Sequence, residues 1–185
     1  AYGVEKAEVP DQEVVDAFLG EKNVNWHAAL DPERPMGVDP LTGGAGGVGP
    51  SLFVRYRKGL CKGMQNALRV IPEVHAEWRE RFGRDWAPLV EEYRLDDADY
   101  AIVTIGGMSG TGKDAVDQAR EAGEKVGLIK IKTFRPFPLA AMGRAISKVK
   151  ALGVVDRSVS FGWNCGPVHQ ETLSCLYHLG ERIPV

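Results

Sequence analysis

Apolar positions change their rhythm twice along the 185-residue chain. Over residues 51–83, Leu52, Tyr56, Leu60, Ala67, Ile71, Val74 and Trp78 recur at spacings of three, four or seven, which draws one apolar stripe along a helix. Ser51, after Pro50, suits the N-cap and Gly83 the C-terminal stop. Pro72 predicts a kink or a restart, and Gly59 and Gly63 on or near the stripe would let another backbone approach closely. From Asp99 onward the rhythm becomes that of an α/β protein. Tyr100-Ala101-Ile102-Val103-Thr104-Ile105 is a continuous apolar run, as a strand covered on both faces requires. A glycine-rich turn follows, then a helix from about Lys113 to Ala122, with Gly123 beyond its end. Val126–Ile131 reads as a second strand, and Pro138 opens a helix running to about Lys150. Residues 152–156 read as a third strand, residues 168–179 as a helix, and Ile183-Pro184-Val185 as the start of a fourth strand. Strands alternating with helices predict right-handed crossovers and a parallel sheet covered on both sides.

The first fifty residues have neither rhythm. Val9-Pro10-Asp11-Gln12-Glu13 opens a short helix reaching Phe18-Leu19, with Asp11 at its N-cap. Then come Asp31-Pro32, Arg34-Pro35, Asp39-Pro40 and a run from Gly43 to Pro50 rich in glycine, which hold neither a helix nor a central strand. The division expected is therefore an irregular arm over 1–50, a linking helix over 51–95 and a three-layer, parallel-sheet α/β domain over 96–185, incomplete at its end.

Composition narrows the function classes. Hydrophobic residues make up 44% and charged residues 26%, enough for a buried core. A formal net charge of −2, with both signs interspersed, argues against a nucleic-acid partner. No apolar run is long enough to span a membrane. Residues 1–10 lack the apolar block of a signal peptide, and the absence of an initial Met suits a chain cut from a longer one. Three cysteines, Cys61, Cys165 and Cys175, form no CxxC pair, and the odd number fits a reducing cytoplasm, with each thiol a small buried apolar group.

Gly107-Met108-Ser109-Gly110-Thr111-Gly112-Lys113 matches the first seven positions of a phosphate loop, between a strand and a helix as that motif demands. The hydroxyl required next, to ligate magnesium, is replaced by Asp114, whose carboxylate would repel phosphates. Nucleotide hydrolysis is therefore disfavoured, while a phosphate- or nucleotide-binding domain using the 107–113 loop stands as the alternative function. The plainer reading is a tight glycine turn feeding a helix N-terminus, where free N–H groups could hold an anion or a neighbour's carboxylate. Strand carboxyl ends gather ligand crevices in open α/β sheets. Gly107, Gly110, Thr111, Gly112 and Lys113 lie there, with Arg135 in Phe134-Arg135-Pro136-Phe137-Pro138, and with Arg157 after Asp156. Arg135 either binds an anion at an interface or pairs with a structural carboxylate such as Asp156. Trp163, in a glycine-bounded loop, is a candidate interface anchor. Cys165, His169 and Cys175 fit no standard zinc spacing, so no metal site is expected.

Five segments in order carry a resemblance: Val9–Glu13, Glu92–Asp99, Gly123–Leu128, Phe134–Pro138 and Asp156–Gly162. Together they are similar to the alpha subunit of pyruvate:ferredoxin oxidoreductases and their 2-oxoacid relatives, over nearly the whole chain. That resemblance implies the tail of a pyrimidine-binding domain, a linking arm and helix, and then a domain like the carboxyl-terminal domain of transketolase. It implies an assembly in which thiamine diphosphate with Mg2+ decarboxylates a 2-oxoacid such as pyruvate. Electrons pass through [4Fe-4S] clusters to ferredoxin, and coenzyme A takes the acyl group. It implies partner subunits of beta, gamma and delta type. No catalytic residue and no cofactor fall to this portion, which by itself is expected to be inactive and to supply architecture.

Overall fold

The computed structural model describes residues 8–21 and 52–185, which fall into two compact units, one within Lys6–Arg84 and one over Asp85–Val185. The first contains two helices, α1 (Gln12–Leu19) and α2 (Leu52–Phe82). Asp11 precedes α1 in extended conformation as expected, yet it caps through its backbone carbonyl, which accepts the N–H groups of Val14 and Val15. The two helices meet through an aromatic cluster. Phe18 stands edge-on to Trp78 and Phe82 at ring separations of 5.4 and 5.8 Å, and Trp78 stacks on Phe82 at 4.0 Å. Arg81 donates to the carbonyl of Ala17 at 2.9 Å and covers the Phe18 ring.

Pro72 does not restart the helix, which remains helical through it although one i→i−4 bond is lost there. Gly83 ends it in the left-handed region, its N–H bonding the carbonyl of Arg79. The space beside Gly59 and Gly63 is open. Ser51 and the whole glycine- and proline-rich arm lie outside the described residues.

The second unit is an α/β layer structure of β1 (Val90–Tyr93), β2 (Tyr100–Ile105), α3 (Met108–Glu121), β3 (Val126–Ile131), α4 (Leu139–Ile146), β4 (Ala151–Val154) and α5 (Pro167–Leu179). Its sheet has the order β1-β3-β2-β4. The three strands expected from the alternating pattern pair in parallel, β2 against both β3 and β4. Three features depart from the expectation. The helix α2 ends before Gly83 as the apolar rhythm predicts, but within the 51–95 linking segment Val90–Tyr93 is an edge strand antiparallel to β3, which makes the sheet mixed. Four residues reading Val-Glu-Glu-Tyr carry too little apolar pattern to signal a strand, and pairing with β3 makes it one. The second difference is that α3 starts at Met108 and α4 ends at Ile146, so the first helix is longer and the second shorter than the sequence suggested. Ile183–Val185 forms no strand, although the carbonyl of Pro184 accepts one hydrogen bond from Leu152 of β4.

The main core lies between one face of the sheet and α4 and α5. Ala101, Val103, Ile129, Ile131 and Leu152 project from the strands to meet Met142, Ala145, Ile146, Val168, Cys175 and Leu176. Residues of the opposite parity face α3, where Leu128, Ile102 and Thr104 approach so closely that a Cβ on Gly112 would sit 2.7 Å from Leu128 Cδ1. The glycine serves close helix–sheet packing. A hydrogen bond of 2.9 Å between the buried hydroxyls of Thr104 and Ser109 ties the start of α3 to the strand that precedes it.

Candidate functional site

Because β3 lies on one side of β2 and β4 on the other, the chain changes winding direction between β2 and β4. Crevices in such sheets open at that point, outside the strand carboxyl ends. A cleft of about 430 Å3 lies there, lined by Ile105, Gly106, Gly107 and Met108 after β2 and by Asp156, Arg157 and Ser158 after β4. Gly106, at φ +69°, makes the sharp turn from strand to helix that an L side chain would resist.

Asp156 is the organising group. One carboxylate oxygen accepts the N–H of Ser158 at 2.9 Å, and the other accepts the N–H of Val168 at 2.8 Å in the first turn of α5. The helix lacks a capping side chain of its own, so a carboxylate from the end of β4 supplies the acceptor and meets the positive end of the helix dipole. A Cβ on Gly166 would lie 2.3 Å from that carboxylate and 2.4 Å from the Ser158 carbonyl, so only glycine fits at the α5 N-cap.

The sequence-derived candidates separate. Gly107 and Arg157 share the cleft, with Arg157 exposed. Gly110, Thr111, Gly112 and Lys113 do not form a loop, because they lie within α3. The first N–H groups of that helix are engaged in tight turns, Ser109 to the Gly106 carbonyl and Gly110 to that of Gly107. A phosphate loop must wrap its ligand with free backbone N–H groups, and residues 107–113 do not present that loop, which removes the geometry behind the nucleotide-binding alternative. Lys113 instead reaches Glu91 of β1 and sits 5.1 Å from the centre of the Tyr93 ring. Arg135 pairs with Glu171 of α5, not with Asp156, whose oxygens serve Ser158 and Val168. Its guanidinium also lies 4.4 Å over the Phe134 ring and donates to the Phe134 carbonyl. Trp163 is exposed on a loop closed by its own backbone bonds, Trp163 to Ser160 and Ser160 to Cys165, and Phe161 beside it is fully exposed.

Among the described residues no group of three or more His, Cys, Asp or Glu could hold a metal ion. Burial pushes the Cys175 thiol up, away from reactivity, while Cys61 is exposed and Cys165 half-buried, unlike the buried state expected of all three. A second recess lies by β1 and β3, lined by Asp85, Trp86, Ala87, Glu91, Lys113, Lys130 and Lys132. Sequence reasoning missed it. Its one visible signal was the alternation Lys130-Ile131-Lys132, which puts two lysines on one face of a strand.

The cleft between β2 and β4 can fix a helix start, hold a loop and meet an anion. It contains no nucleophile–base pair. Comparison with known proteins matches residues 98–185 to the family described as pyruvate:ferredoxin oxidoreductase core domain II. The NADH-dependent phenylglyoxylate dehydrogenase subunit alpha of Aromatoleum evansii is 70% identical over 184 residues, covering all of this chain and 44% of that protein. The pyruvate synthase subunit PorA of Pyrococcus abyssi (strain GE5 / Orsay) is 42% identical over 181 residues, covering 98% of this chain and 44% of its own length. The ketoisovalerate oxidoreductase subunit VorA of the same organism is 36% identical over 171 residues, covering 92% and 41%. The chain thus spans less than half the length of these relatives.

Proposed function

Through residues 98–185 the chain belongs to the pyruvate:ferredoxin oxidoreductase family, and from that premise we propose that it is the scaffold portion of the alpha subunit of a thiamine-diphosphate-dependent oxidoreductase acting on an aryl 2-oxoacid. The observation that carries the substrate class is the contrast in likeness. The chain shares 70% of its residues with a phenylglyoxylate dehydrogenase subunit and 42% with a pyruvate synthase subunit, over nearly the same span. Pyruvate, which the sequence resemblance put first, gives way to a phenylglyoxylate-type acid. The assembly would convert that acid to its acyl-coenzyme A and carbon dioxide. The name of the same relative supports a nicotinamide as the terminal acceptor in place of ferredoxin.

The residues do not fit the redox cofactors. A [4Fe-4S] cluster is held by four thiolates, and the chain has three cysteines, of which Cys61, Cys165 and Cys175 differ widely in exposure. We assign the clusters, thiamine diphosphate and Mg2+ to other segments and to partner subunits. The role left to residues 96–185 is architectural, as a transketolase C-terminal-like unit whose exposed Phe161–Trp163 loop offers aromatic anchors to a neighbouring subunit.

The test is the native assembly that contains this chain, purified and assayed with coenzyme A. Phenylglyoxylate with NAD+ should turn over faster than pyruvate with either NAD+ or ferredoxin. Faster turnover of pyruvate would overturn the substrate assignment, and reduction of ferredoxin alone would overturn the acceptor. The chain by itself should turn over no 2-oxoacid, and turnover without other polypeptides would overturn the scaffold role.

A further inference from the structure

The recess beside β1 and β3 gathers charge in a way the fold does not require. Register places Glu91 of β1 directly opposite Lys130 of β3, so both project to the face that α3 covers, and Lys132 follows two residues on. Lys113 reaches the same place from α3. The recess is about 450 Å3 and is lined by three lysines against two carboxylates, Glu91 and Asp85. Glu91 serves most of the cluster: it bonds Lys113, and Lys130 Nζ stands 3.9 Å from its other oxygen. Burial alone would raise the Glu91 carboxyl, but the Lys113 hydrogen bond and the charges of Lys113, Lys130 and Lys132 hold it below the usual range. Lys132 has no ion pair among the described residues. Its ammonium lies 5.9 Å from the centre of the Trp86 ring, and burial followed by repulsion from Lys130 lowers its pKa. Positive charge held partly out of water without a full complement of carboxylates favours an incoming anion.

The donor set says which anion. Three ammoniums converge from α3, β3 and the residue just past the end of β3, each a compact charge able to rotate its donors, and no arginine lines the recess. Lysine ammoniums bind phosphate oxygens as separate point charges, without the fork a guanidinium would bring. Trp86, about half exposed, adds a flat apolar wall on which an organic group can lie. We propose that this recess binds a phosphate-bearing small molecule, with Lys130 and Lys132 as its principal partners and Glu91 as a built-in competitor. The site is separate from the β2–β4 cleft and does not depend on which 2-oxoacid the assembly uses.

Calorimetric titration of the full chain with inorganic pyrophosphate at low ionic strength tests it, with citrate as the carboxylate control. Saturable binding of pyrophosphate, tighter than that of citrate, is expected. The double variant Lys130→Gln, Lys132→Gln should weaken it by about tenfold or more, as loss of two charge-assisted contacts implies. Glu91→Gln should tighten it several-fold, because a repelling carboxylate is removed. A purely structural ion-pair cluster would show no such gain. Should the double variant fail to fold, Lys132→Gln alone, at an exposed position, should still weaken binding. Absence of saturable heat, citrate binding at least as tight, or pyrophosphate binding indifferent to all three substitutions would each overturn the proposal.

Discussion

The α/β unit and the long helix α2 have similar amounts of apolar patterning and reach different ends. In the α/β unit the apolar residues of β2, β3, α4 and α5 close on one another, and Val103, Leu128, Ile129 and Met142 are wholly buried. Along α2 no described side chain is buried. Leu60 and Val74, both on the predicted stripe, are 54% and 44% exposed, and only its C-terminal end gains the aromatic contacts of Phe18. Periodicity reports that a face is apolar. It does not report whether the same chain supplies the cover. Among the described residues the α/β unit thus buries its own apolar positions, while the stripe of α2 stays partly exposed at Leu60 and Val74.

Substitutions can break or sharpen this contrast. The largest effect should come from Met142→Ala, which removes a fully buried side chain of α4 and should destabilise the α/β unit by about 2–5 kcal/mol. Chemical denaturation of the chain measures it, and a loss below about 1 kcal/mol would show that this core is loosely packed. Next comes Asp156→Ala, which strips the acceptor from the N–H groups of Ser158 and Val168. A loss of about 1–3 kcal/mol is expected, with faster amide exchange at Val168 but unchanged exchange in β3. Uniform acceleration would mean that Asp156 supports the whole core and not the α5 junction. Leu60→Ala should shift stability of the chain by no more than about 0.5 kcal/mol. A loss comparable to that of Met142→Ala would erase the contrast, because it would require that α2 already be covered.

Much of the α/β unit was legible because its information is local. The run Tyr100–Ile105 and the alternation of strands with helices give β2, β3, α5 and the parallel order without any distant contact. What was missed depends on partners far away in the chain. β1 becomes a strand only by pairing with β3, so Val90–Tyr93 gave no sign of itself. The start of α3 was misplaced because Gly110 and Gly112 argue against helix by propensity, whereas packing of Gly112 under Leu128 favours it. The phosphate-loop reading failed for the same reason, since a glycine needed for close packing looks in sequence like one needed for a turn. The lysine recess was invisible because it needs the β1–β3 register together with the reach of Lys113 from α3. Asp156 was noted in the sequence at a strand end, as a possible partner of Arg135 and within the resemblance, and its service to the first turn of α5 required the fold.

The reversed direction of β1 has a consequence for access. Since Val90 stands opposite Ile131, and Ile131 in turn lies beside Ile105, residues 85–89 approach the sheet from the end where β2 and β3 finish. The far end, where Tyr100 lies level with Val126 and Ala151, is sealed by the backbone bonds of Asp99 to Lys125 and Lys150 to Asp99. One rim of the sheet is thereby left to connectors. The other gathers the incoming strand together with the β2–β4 cleft and the lysine recess, so among the described residues these two hollows share one shoreline.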